Sequence, residues 1–142
     1  MQTNTFGLVV REWLRRSFPS KPQFTTRFKK NGEFEAFLRA PRGSQAGALV
    51  IFTFQGDLWV RFNPPQMCYS VDSRAEMVSI VRQLLSDKAL FVTTHRGNEW
   101  TGTTLLRRGS SPKLRRGETA RIISWSGRFD ASSDDAPSRR HR

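Results

Sequence analysis

One thiol, one imidazole and two sets of guanidiniums are the side chains here whose types could support chemistry. Cys68 and His95 make the only thiol–imidazole combination outside the C-terminal stretch that holds His141. A cysteine nucleophile needs a base close by to generate thiolate. Cys68 precedes a predicted helix and His95 falls at a predicted hairpin tip, so the spacing does not unite them. Cys68 reads as a small buried residue and His95 as a turn residue. Two His and one Cys cannot build a Cys/His zinc site, and no acidic cluster has calcium-loop spacing. No Gly-rich phosphate loop, Gly-x-Ser-x-Gly elbow or deaminase signature is present, and no carboxylate pair suits glycoside hydrolysis. The expectation is a protein that is not an enzyme and uses no metal or cofactor.

Binding has more residues to draw on. Arg107, Arg108, Lys113, Arg115 and Arg116 lie in RRGSSPKLRRG, which has five basic residues and no acid. Arg11, Arg15, Arg16, Lys29 and Lys30, with Arg39 and Arg42 beyond them, form a second set. Residues 1–42 hold nine basic and three acidic residues, 43–106 five of each, and 107–142 ten basic and four acidic. The formal charge of +12 over 142 residues is therefore carried by the two ends. Such a field favours acidic partners and is screened by salt. Candidates are an acidic protein, nucleic acid or an anionic membrane surface. Phosphate contacts would add salt dependence without reading sequence. Four Trp and eleven Phe include possible base-stacking surfaces. Against this, Trp59 and Phe62 are expected in the core, and no helix-turn-helix, KH loop or RNP strand is present.

The elements that must position these residues follow from hydrophobic spacing. Phe6, Val9, Val10, Trp13 and Leu14 recur at helical intervals, with Asn4 or Thr5 as cap and Pro19 as stop. Phe24–Lys29 and Glu33–Leu38 read as a hairpin around Asn31-Gly32, at a sheet edge. A two-residue loop there sets Lys30 against Glu33, Phe28 against Glu35 and Thr26 against Phe37. Ala48–Phe54 is apolar on both faces, which argues for a central strand. A turn at Gly56-Asp57 leads to Leu58–Phe62, pairing Phe54 with Trp59 and Ile51 with Phe62. Asn63-Pro64-Pro65 ends that strand. Ser73-x-x-Glu76 is a capping box opening a helix over Asp72–Ser86, with Met77, Val78, Val81, Leu84 and Leu85 as its stripe. Leu90–Thr94 and Trp100–Leu106 form a third hairpin around Gly97-Asn98, with Leu90 facing Leu105 and Arg96 ion-paired to Glu99. Arg107–Gly117 is a loop and Thr119–Trp125 a last strand.

The expected fold is therefore α+β: about seven mainly antiparallel strands built as hairpins, two helices on one face, and the order α-β-β-β-β-α-β-β-β. Residues 1–129 form one domain, and 130–142 are a polar, basic tail too hydrophilic to pack. The start of the chain lacks a basic region followed by an apolar run, and no stretch approaches the ~20 apolar residues of a membrane span. The single cysteine fits a reducing compartment, so the expected location is the cytoplasm.

Residues Gly56–Leu106 run strand, Pro turn, aromatic, capped helix, then a hairpin with a Gly-x-Glu-Trp turn. This order resembles the small α+β immunity proteins that bacteria encode beside secreted toxins, over about a third of the chain. The resemblance implies a non-enzymatic role in the cytoplasm and one protein partner, such as a toxin domain. It carries over no binding residues. The basic balance departs from the acidic character common among nuclease inhibitors. Together these readings give a binding protein that neutralises or regulates an acidic protein partner through a basic surface. The alternative is a sequence-independent nucleic-acid-binding protein using the 107–116 loop and the N-terminal basic residues.

Overall fold

The computed structural model describes residues 4–133. The chain runs α1 (Thr5–Ser17), β1 (Thr25–Phe28), β2 (Phe34–Arg39), β3 (Ala48–Phe54), β4 (Asp57–Phe62), β5 (Cys68–Val71), α2 (Arg74–Leu85), β6 (Ala89–Arg96), β7 (Glu99–Arg107), β8 (Glu118–Ile123) and β9 (Ala131–Ser132). The fold is α+β, as expected. Two antiparallel sheets replace the single expected one: β1-β2-β3-β4-β5, a pure meander, and β7-β6-β8-β9. The strands number nine among the described residues, not seven, because β5 and β9 fall in stretches whose composition reads as loop and tail. Asn63-Pro64-Pro65 ends β4 at Phe62, as expected, and bends the chain into β5, with Met67 N–H donating to Pro64 O (2.9 Å). Ala131–Ser132 pair with β8, and Asp130 Oδ1 accepts from Ser124 N–H (2.7 Å). That part of the expected tail belongs to the sheet, while 134–142 lie outside the described residues.

Both helices form where capping and periodicity place them. Asn4 Oδ1 accepts from Gly7 N–H, and Ser73 Oγ accepts from Glu76 N–H. Glu76 reaches back to Asp72 N–H, one residue before the cap, so α2 begins at Arg74 rather than Asp72. α1 buries Gly7, Val10 and Leu14, whereas Val9, expected on its apolar face, is exposed. Gly7 is required by proximity. A Cβ there would lie 2.9 Å from Phe34 Cβ, so α1 rests almost directly on β2.

Three expected registers shift. The β1–β2 loop spans Lys30–Gly32, closed by Lys29 N–H donating to Glu33 O (2.8 Å). Of Asn31 and Gly32 only the glycine has positive φ, as a three-residue loop requires. The one-residue slip pairs Phe28 with Phe34 and Arg27 with Glu35. Phe28 does not face Glu35, nor Lys30 Glu33; the Glu33 carboxylate turns inward to Thr53 Oγ1 and Gln55 N–H (2.8 Å each). At the next hairpin the positive-φ pair is Gln55-Gly56, one residue earlier than expected. Trp59 therefore pairs with Phe52, and Leu49 with Phe62. The third hairpin turns at Gly97-Asn98, but a bulge between Thr94 and His95 brings Leu90 to Leu106. No ion pair forms between Arg96 and Glu99 among the described residues; Arg96 Nη2 donates to Arg116 O (3.4 Å).

Side chains directly opposed across antiparallel strands share a face. One face of the five-stranded sheet carries Phe34, Ala36, Leu49, Ile51, Val60 and Phe62, all buried. They join Val10 and Leu14 of α1, Met77, Val81 and Leu84 of α2, and Phe91 and Ile123 of the second sheet in one cluster. Phe62 sits at the junction, 4.9 Å from the Phe91 ring and 5.9 Å from the Trp125 ring. The other face of the five-stranded sheet is left to the groove described next.

Candidate partner-binding face

The period of two that buries one face of β2, β3 and β4 turns a second set of side chains outward. Across the sheet, Arg27, Glu35, Phe52, Trp59 and Ser70 form one row, and Phe37, Val50, Arg61 and Cys68 the next. A groove of about 530 Å³ crosses this face, lined by Arg27, Glu35, Phe37, Arg39, Gly47, Ala48, Val50, Arg61 and Asn63. At its edge the Asn63 side chain lies close against the Gly47 backbone. Gly47 has φ 71°, and a Cβ there would fall 2.5 Å from Asn63 Nδ2.

The groove has two electrostatic ends. At one, Glu35 is only 8% exposed and its carboxylate accepts from Arg27 Nε at 2.6 Å, with Lys29 Nζ at 3.7 Å. This end is self-neutralised. At the other end, Arg61 lies 5.7 Å above the Phe52 ring and its Nη1 donates to the Phe62 and Asn63 carbonyls. Phe52 in turn is stacked against Trp59, centroids 6.5 Å apart. Among the described residues no carboxylate bridges Arg39 or Arg61. Phe37, Phe52 and Trp59 are partly buried between these ends.

The residues singled out from sequence lie elsewhere, in separate places. Arg11, Arg15 and Arg16 are exposed on α1. Arg15 and Arg16 both pair with Glu12, and Arg11 sits 5.5 Å over the Phe28 ring. Lys29 and Lys30 lie at the β1–β2 turn, near the self-neutralised end. Arg107 ends β7, while Arg108, Lys113, Arg115 and Arg116 lie on the exposed connection to β8. Arg108 is placed over Phe129 (4.9 Å). Glu118 ties the end of that loop to the sheet, accepting from Arg115 N–H (2.8 Å) and Thr101 Oγ1 (2.7 Å). Those two hydrogen bonds, Arg115 first, hold its carboxyl below the ordinary value of 4.5. No hydrogen bond or ion pair joins the N-terminal set to the loop among the described residues.

Sequence reasoning missed Arg27 and Arg61, named Arg39 only as an auxiliary, and assigned Trp59 to the core. Trp59 faces outward, whereas Phe62 is in the core with Leu58 and Val60 of the same strand. Cys68 lies on β5 and His95 on β6, in different sheets. Burial pushes the Cys68 thiol up, with Arg61 drawing it partly back, and its Sγ donates to Pro65 O. Cys68 is half-buried, not the fully buried residue the sequence suggests. Among the described residues no group of three His, Cys, Asp or Glu could hold a metal ion, and no helix is long and apolar enough to cross a membrane. Searches against protein-family models, curated proteins and solved structures find no match to this chain.

Proposed function

We propose that this is a non-enzymatic cytoplasmic binding protein that neutralises or regulates an acidic protein partner, in the manner of an immunity protein. The observation that carries this reading is the outward face of the five-stranded sheet, where Arg39 and Arg61 stand among Phe37, Phe52 and Trp59. Arginine and aromatic side chains dominate the energetics of protein interfaces, because they add large contact area to directed hydrogen bonds. Their setting in a sheet means little conformational freedom is lost on binding. Co-expression with the product of the adjacent reading frame tests the reading. The expected result is a co-purifying complex and loss of that product's toxicity. Absence of both overturns it.

A second reading rests on the loop. Arg107, Arg108, Lys113, Arg115 and Arg116 are exposed, and no carboxylate pairs with their side chains among the described residues. Such a loop suits sequence-independent contact with nucleic-acid phosphates.

A further inference from the structure

We infer that the groove on the outward face of the five-stranded sheet takes an extended acidic peptide segment, with a carboxylate at Arg39 and Arg61 and an apolar side chain on Phe37 and Val50. The inference rests on the binding-protein reading and gives that partner its recognition chemistry.

Charge complementarity selects the occupant. Arg39 and Arg61 carry no bridging carboxylate among the described residues, and Arg61 is already oriented by Phe52 and by two carbonyls. A planar guanidinium held in this way offers its remaining N–H groups as a preset fork for a carboxylate. Glu35 is already compensated by Arg27 and Lys29, so the unbridged positive charge of the groove stands at two separate points, Arg39 and Arg61. Discrete carboxylates match two points better than the uniform charge of a phosphate chain does. Base stacking is disfavoured as well, because one side of the Phe52 ring is occupied by the Arg61 guanidinium.

The spacing fits an extended segment. Arg61, Val50 and Phe37 stand in one row on β4, β3 and β2. With strands ~4.8 Å apart, Arg61 lies about 5 Å from Val50 and about 10 Å from Phe37. Side chains two positions apart on an extended peptide are separated by ~7 Å and point the same way. A carboxylate at one position therefore reaches Arg61 while its neighbour two residues on covers the Val50–Phe37 floor.

The test uses fluorescence anisotropy with the full chain and two labelled probes of matched charge: a Glu-Ser-Leu-Ser repeat peptide and oligo-dT. The expected result is saturable peptide binding below about 1 mM. Charge reversal of Arg39 and Arg61 together weakens it at least tenfold, whereas reversal of Arg115 and Arg116 changes it less than threefold. Arg39→Gln with Arg61→Gln, which adds no new charge, gives an intermediate loss, and circular dichroism checks that each variant is folded. Oligo-dT binding that is at least as tight as the peptide's and is weakened by reversal of Arg39 and Arg61 overturns the inference, as does peptide binding that is absent or indifferent to Arg39 and Arg61. If the co-expressed partner is still neutralised by the charge-reversed protein, the groove assignment fails while the binding-protein reading stands.

Discussion

Two arginine-bearing regions of this molecule are built on opposite principles. In the sheet groove two of the three guanidiniums have a fixed neighbour: Arg27 holds Glu35, and Arg61 lies over Phe52. In the 107–116 loop the charges are more numerous, and apart from Arg108 over Phe129 no side-chain contact orients them among the described residues. Charge density alone points to the loop. Orientation points to the groove, and orientation governs directed recognition because less freedom is lost on binding. The loop is suited to attraction at a distance and the groove to the final fit.

The comparison presumes that both regions ride on one folding unit, and Phe62 is where that presumption is most exposed. Phe62→Ala removes the ring that meets both Phe91 and Trp125, and is expected to cost about 3–5 kcal/mol. Urea unfolding followed by far-ultraviolet circular dichroism and by tryptophan fluorescence should shift as one transition. Two transitions would divide the molecule at that junction. A smaller effect sharpens the contrast between the arginines. Arg27→Ala strips the Nε–H hydrogen bond from a carboxylate that is only 8% exposed, and should cost about 1–2 kcal/mol in the same measurement. Lys113→Ala in the loop should stay within about 0.5 kcal/mol. Equal costs would erase the distinction between placed and unplaced charge.

The smallest effect lies at the loop anchor. The folded Glu118 carboxyl titrates below its ordinary value of 4.5. Its contribution is complete above the unfolded value and is lost as pH falls through the folded one. Hydrogen exchange at the Arg115 amide should therefore lose more protection under acid than the amides of the sheet, and Glu118→Gln should remove that difference. A wild-type amide whose protection ignores pH would detach the loop from this carboxylate.

Much of the scaffold was legible in the sequence, because its signals are local. The Ser73–Glu76 box, the stripe Met77–Val81–Leu84 and the both-face apolar run of β3 place α2 and a central strand where they are found. The face of the groove was not legible. A strand reading ALVIFTF offers apolar side chains on both sides, so its pattern cannot tell core from surface, and a turn read at Gly56-Asp57 pairs Trp59 with Phe54 and Phe62 with Ile51 as if all four were core. The β1–β2 slip shows why one residue matters. Reading Asn31-Gly32 as a two-residue turn sends Phe28 to Glu35, whereas the three-residue loop sends it to Phe34 and exposes the Arg27–Glu35 pair. Sequence charge counting found the loop because the loop is contiguous. The groove is assembled from four strands and has no contiguous signal.

The meander order of the first sheet also bears on how the chain comes to be folded. Each of β1 to β5 pairs with the strand just before or after it, so every pairing there closes only a short loop. β8 must instead return past all of β7 to reach β6. During synthesis, the stretch from Thr25 to Val71 has all its strand partners as soon as it has emerged, and so can form its hydrogen-bonded ladder ahead of the second sheet. The groove would then be the earliest surface to take shape, while Phe62 waits for Phe91 and Trp125 to seal the core behind it.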